Sequence, residues 1–151
     1  MKSYFGARRV RGKRGRSAGK KIVVVGILKR GGRVYTQAIP NAKADTLQPI
    51  LKGHILEDST VYTDGWRSYD SIIHDSRHYR IYHSHDEFAR GKNHINGIES
   101  FWSYAKASLA KRKGIQQDKF MLHLKELEWR FNHRNDDKYL QLLKLLREEP
   151  L

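Results

Sequence analysis

Ser59-Thr60-Val61-Tyr62-Thr63-Asp64-Gly65-Trp66-Arg67 is the stretch on which the fold turns. Its β-branched and aromatic run reads as a short strand over Thr60–Thr63 that ends at Asp64. An Asp-Gly pair is also ordinary turn chemistry, which would account for Asp64 taken alone. A second acid stands in a comparable frame, with 34 residues between the two. Glu99 lies in His94-Ile95-Asn96-Gly97-Ile98-Glu99-Ser100-Phe101-Trp102, at the head of a helix. Taken alone, Glu99 fits a first-turn acid favoured by the helix dipole, and Asn96 fits the helix N-cap. Together, a carboxylate at a strand end and another on a later helix suit a two-metal site. In such a site paired Mg²⁺ ions activate water and stabilise the leaving oxygen of a phosphodiester. A site of this kind needs a third carboxylate from an earlier strand, and none is visible in the sequence.

Working outward, Lys21–Leu28 is an apolar run without alternation, which predicts a strand buried on both faces. Lys29-Arg30-Gly31-Gly32 reads as a hairpin turn and Arg33–Ile39 as its partner strand, with Tyr4–Ala7 as the stub of one more at the start. Pro40-Asn41 breaks the sheet. Ala44–His54 has Leu47, Ile50 and Leu51 at helical spacing, with Ile55 continuing the row. Trp66–Ile73 reads as a short helix and Tyr79–His83 as a strand, followed by a polar loop over His85–Asn93. Asn96–Lys111 carries an apolar stripe of Ile98, Phe101, Trp102, Ala105 and Leu109. Its polar stripe is Asn96, Glu99, Ser103 and Lys106, with Glu99 and Lys106 two turns apart, roughly 10 Å. Lys106 has the plain alternative of an exposed surface lysine. Asp118–Asn132 follows, with Phe120, Met121, Leu124, Leu127 and Phe131 inward. Asp136–Glu149 is expected to close the chain on Tyr139, Leu142, Leu143 and Leu146. A mixed sheet followed by a C-terminal helical cluster suits an RNase H-like α/β fold. The division this implies is a main domain over 1–135, with a basic loop over 7–21, and a C-terminal helix over 136–151.

Charge is the third feature. The net charge is +14 over 151 residues. Residues 1–44 hold 13 Lys and Arg and no acid, whereas 45–151 carry 17 basic residues against 16 acids. Nearly the whole excess therefore lies in the first third. Its densest part is Arg8, Arg9, Arg11, Lys13, Arg14 and Arg16, continuing to Lys20 and Lys21. A basic arm interleaved with glycine is the footprint of phosphate-backbone binding, against the alternative of a solvated tail. It has too few apolar residues to insert into a membrane surface. The apolar run Ile22–Leu28 is too short for a signal peptide core with its cleavage site, and no segment is long enough to span a membrane.

The chain has no cysteine, which excludes disulfides and thiolate metal sites. His78, His83, His85 and His94 cluster in sequence but lack the fixed spacing of a zinc motif. Trp66, Trp102 and Trp129 read as core or groove-lining aromatics rather than base-stacking platforms.

These motifs carry a family resemblance. The chain resembles bacterial insertion-sequence transposases of the ISXO-like group, whose domain is an RNase H-like DDE integrase fold. The matching stretches are Tyr4-Phe5-Gly6, Gly12-Lys13-Arg14-Gly15-Arg16, Val24–Gly32, Tyr62-Thr63-Asp64-Gly65-Trp66-Arg67-Ser68-Tyr69, His94–Trp102 through Lys106, and Phe131-Asn132-His133-Arg134. They cover about residues 3–135. The resemblance implies that Asp64 is the second metal-binding carboxylate and Glu99 the third acid, with Asn96 the alternative at that position. Lys106 is then the trailing lysine. It implies Mg²⁺ or Mn²⁺ as cofactor and double-stranded DNA, at transposon ends and target, as partner, with Arg67 joining the basic arm at the DNA. A homo-oligomer is compatible with it, and the expected location is cytoplasmic, at the nucleoid. The family pattern has an Asp-Glu pair directly before a Ser/Thr-Tyr-Phe/Ile-Gly segment, here Ser3-Tyr4-Phe5-Gly6, and Met1 and Lys2 stand in those places. The first metal-binding carboxylate is therefore missing, as in a 5′-truncated copy, and any metal is expected to bind weakly. Two functions follow: an insertion-sequence transposase that cuts and joins DNA, inactive in this form, or a non-catalytic DNA-binding remnant. A degenerate product without function is a third outcome.

Overall fold

The computed structural model describes residues 1–6, 21–29, 31–56, 59–64, 77–81, 96–112 and 115–148. The elements run β1 (Lys2–Phe5), β2 (Ile22–Leu28), β3 (Val34–Ile39), α1 (Ala44–Lys52), β4 (Thr60–Asp64), β5 (Arg77–Ile81), α2 (Asn96–Lys111), α3 (Phe120–Asn132) and α4 (Lys138–Glu148). This is a mixed α/β protein. An antiparallel sheet has the order β1-β2-β3, and β4 pairs with β5 in parallel.

The non-alternating run of β2 explains the layering. Val24 and Val25 are both fully buried, but in different places. Side chains alternate across a strand, so neighbours must face opposite sides. Val24 joins Phe5, Val34, Ile98, Phe101, Trp102, Ala105, Phe120, Leu124 and Leu127 in the core beneath α2 and α3. Val25 joins Ile39, Leu47 and Leu51 beneath α1. A strand covered on both faces has no use for polar residues at alternate positions, and the sequence reflects this.

The larger core is built on aromatic contacts. Phe5 meets Trp102 edge-on at 5.7 Å and Phe120 at 5.4 Å, and Phe101 meets Phe131 edge-on at 5.2 Å. Pairs in these orientations add to simple area burial.

Polar clips fix α3 to the outer edge of β3. The side chain of Asn132 behaves as a short strand: it accepts from the Val34 amide at 2.7 Å and donates to the Val34 carbonyl at 2.8 Å. Two residues along the strand, Glu128 accepts from the Thr36 amide at 2.7 Å and from the buried Thr36 hydroxyl. Lys125 reaches the same carboxylate at 2.9 Å. These bonds satisfy edge groups that would otherwise invite another strand. At the far end of α2, Arg112 bonds Glu126 at 2.5 Å, and Arg130 bonds it at 2.8 Å. The Arg112 hydrogen bond leads in holding the Glu126 carboxyl down at about 2.

Several boundaries differ from the sequence expectation. β1 is Lys2–Phe5 rather than Tyr4–Ala7, and Gly6 ends it with φ 83°. β5 begins two residues earlier than expected, at Arg77. Met121 and Phe131 are half-buried and pack on the core margin. The larger correction concerns α4. It was expected to close on Tyr139, Leu142, Leu143 and Leu146, but none of its residues is buried. Amphipathic spacing shows that a helix forms, not that this chain covers it. The short helix expected at Trp66–Ile73 and the loop at His85–Asn93 lie outside the described residues.

Candidate functional site

β4 delivers Asp64 at its last position. Thr63 is buried and alternates with Tyr62 and Asp64, so these two share the other face. Tyr62 packs against the core built by α2. Asp64 therefore stands on the side of the strand that α2 covers. Its Oδ1 is buried with no hydrogen-bond partner among the described residues. A buried carboxylate oxygen without a donor is costly, and such atoms mark places where an ion or a water belongs.

The groups nearest Asp64 in electrostatic terms are cationic. Met1 extends the β1–β2 ladder by one pair: its carbonyl accepts from the Gly26 amide at 2.8 Å and its ammonium donates to the Gly26 carbonyl at 2.9 Å. Burial pushes that amine down to about 6, with the Asp64 carboxylate pulling the other way and Lys2 adding to the fall. The Lys2 ammonium is likewise lowered by burial and raised by Asp64. Position 1 thus lies beside Asp64. By pairing with Gly26 it also faces α2, and the Met1 side chain packs on the α2 core.

Gly26 makes this corner possible. A Cβ placed there would lie 3.1 Å from Ile98 Cδ1 and would overlap the Trp102 indole. Only glycine lets α2 settle this close to the strand. Ile98 is the residue before Glu99, so the contact brings the first turn of α2, with half-buried Glu99, over the end of the ladder that holds position 1. Gly97 is used in the same way, since a Cβ there would strike Leu28. The Trp102 Nε1 is a second buried group with no partner among the described residues.

Asn96, Ser103 and Lys106 are exposed along α2, in the polar stripe expected for them. The Lys106 ammonium lies 5.9 Å from the centre of the Phe5 ring. Phe5 ends β1, and in sequence the basic stretch opens three positions later, at Arg8. Of the arm itself, Lys21 is described and exposed. Arg8, Arg9, Arg11, Lys13, Arg14, Arg16, Lys20 and Arg67 lie outside the described residues, as do His83, His85 and His94. Among the described residues no group of three or more His, Asp or Glu converges as a metal site.

Sequence reasoning singled out Asp64 and Glu99, but it missed the Gly26 corner where position 1 meets the first turn of α2. One signal was present: a lone glycine inside an apolar strand marks a close approach of another element. Asn132 was part of a recognised motif without a role, and the structure gives it one at the β3 edge.

An α/β domain with a buried carboxylate at a strand end, an acid in the first turn of a later helix and an acid-free N-terminal third has clear relatives. The chain belongs to the ISXO2-like transposase domain family, which it matches over residues 2–132. It is 45% identical over 115 residues to an uncharacterized transposase-like protein of Haemophilus influenzae, covering 76% of this chain and 93% of that protein. It is 31% identical over 120 residues to an uncharacterized protein in transposable element ISH50 of Halobacterium salinarum, covering 78% of this chain but 41% of that protein. The chain thus spans about two fifths of the length of this second relative. No solved structure matches it. Among the described residues, no helix is long and apolar enough to cross a membrane.

Proposed function

We propose that this chain is the RNase H-like domain of an insertion-sequence transposase, that it engages double-stranded DNA, and that it does not cut DNA in the form given by this sequence. The observation that carries the proposal is the buried Oδ1 of Asp64, without a hydrogen-bond partner among the described residues, beside position 1, where methionine stands instead of a carboxylate. The order of an antiparallel triple strand and a parallel pair supports the RNase H-like assignment.

Asp64 suits a divalent cation, and Glu99 is the second oxygen donor on α2. A Mg²⁺ or Mn²⁺ ion held there would supply Lewis-acid stabilisation and an activated water for phosphodiester cleavage. A pair of ions needs a shared ligand between Asp64 and the first strand. Met1 offers only a soft thioether, which cannot serve a hard divalent cation. The residues present fit one weakly held cation and do not fit a metal pair, so no reaction step is assigned to this chain. The basic arm, Lys106 and Arg67 would meet the DNA backbone as point charges and release counterions on binding.

The test is a cleavage and binding assay on the same preparation. The unmodified chain should bind duplex DNA with an affinity that falls steeply with salt, and substitution of Arg11, Lys13, Arg14 and Arg16 by Ala should flatten that slope. It should show no nicking or strand transfer with Mg²⁺ or Mn²⁺. Replacing Met1-Lys2 by Asp-Glu, behind a few added residues that complete the strand, should restore nicking, and Asp64→Asn should remove it again. Cleavage by the unmodified chain, or binding that ignores salt, would overturn the proposal.

A further inference from the structure

α4 is a helix without a visible reason to be folded. It has 11 residues, and an isolated helix of that length is marginal in water. Tyr139, Leu140, Leu142, Leu143, Leu145 and Leu146 are all exposed, from 43% to 70%. At about 100° per residue, Tyr139, Leu142, Leu143 and Leu146 fall within one arc of the helix. Gln141, the one α4 residue that is not exposed, lies opposite that arc. The apolar stripe therefore points away from the body of the protein. An exposed face this apolar marks a contact surface.

The charges at the two ends of the helix specify what would cover it. Asp137 caps the N-terminus: its carboxylate accepts from the amides of Tyr139 at 3.0 Å and Leu140 at 3.2 Å. Exposed Asp136 stands beside it, and exposed Lys144 and Arg147 lie in the C-terminal half, followed by Glu148. An identical helix laid antiparallel on the stripe would bring Asp136 of each copy to Arg147 of the other, twice, by symmetry. It would also oppose the two helix dipoles favourably.

We propose that α4 is a self-association surface: two copies of this chain pair through antiparallel α4 helices, with Tyr139, Leu142, Leu143 and Leu146 in the seam and Asp136–Arg147 pairs at its ends. The surface is separate from the Asp64 corner, and its test needs neither DNA nor metal, so it stands or falls apart from the transposase proposal.

Light scattering after size exclusion, on nuclease-treated full chain at moderate salt, should show a concentration-dependent dimer. The double substitution Leu142→Asp with Leu146→Asp should give a monomer whose circular dichroism keeps the signal of the remaining fold. Asp136→Lys and Arg147→Glu should each weaken the dimer about tenfold, since each reversal acts at both symmetric contacts. Combining the two reversals should restore it. Three results would overturn the proposal. One is a monomer at every concentration, as when another segment or another protein covers α4. Another is association that ignores the Leu142 and Leu146 changes. The last is a double reversal no better than either single one.

Discussion

α3 and α4 are neighbours in sequence, similar in length and both amphipathic, yet they have opposite fates. α3 buries Phe120, Leu124 and Leu127 and is stitched to β3 by Asn132 and Glu128. α4 buries nothing. The difference is not in the apolar spacing but in the polar residues. α3 carries side chains that match the free groups of a strand edge, and so it has a fixed seat. α4 carries only a cap and end charges, which define an orientation toward something else.

The comparison breaks first at the core. Leu124→Ala removes a fully buried side chain and should cost about 3 kcal/mol in denaturant unfolding. Leu146→Ser at high dilution should change stability by less than about 0.5 kcal/mol. If the two changes cost the same, α4 is packed as α3 is and the contrast fails. Asn132→Leu keeps similar bulk but strands the Val34 amide and carbonyl. It should cost about 2 kcal/mol and expose the β3 edge to hydrogen exchange.

A pH effect sharpens the contrast between the Asp64 corner and the rest. The Met1 amine has its pKa lowered from 8.0 to about 6 on folding. Above pH 8 it is neutral in both states and contributes no penalty. Between pH 8 and 6 the unfolded chain takes up the proton first. Stability should therefore fall as pH drops through this window, by at most about 3 kcal/mol. Adding two residues before Met1 should flatten this slope; an unchanged slope would place the amine in solvent. Glu126 gives the smallest effect. Its carboxyl is lowered to about 2, chiefly by Arg112, so its contribution is present above the normal carboxylate pKa and is lost as pH falls through 2. The Glu126 side chain is a little over a third exposed, so Arg112→Ala should cost under about 1 kcal/mol at neutral pH and nothing at the acid limit.

Much of this was legible in the sequence, for physical reasons. The unbroken Val23-Val24-Val25 run announced a strand buried on both faces, because period-2 geometry leaves no solvent side. The stripe of Ile98, Phe101, Trp102 and Ala105 named the buried face of α2. What could not be read was relational. Nothing local tells Leu142 from Leu124, since both sit at apolar helical positions. Nothing local says that Gly26 would seat Trp102, or that position 1 would come near Asp64 across 62 intervening positions. The bounds of β1 slipped because its hydrogen bonds are set by β2 rather than by its own residues.

The central proposal is that the Asp64 corner would hold a divalent cation and that a carboxylate at position 1 would complete it. Manganese binding followed by electron paramagnetic resonance tests it without reference to DNA. The chain with Asp-Glu at positions 1 and 2, behind added upstream residues, should bind Mn²⁺ at least tenfold more tightly than the same extended chain with Met-Lys, and Asp64→Asn should erase the gain. Equal Mn²⁺ affinity in the two extended chains, or a gain that survives Asp64→Asn, would contradict the claim.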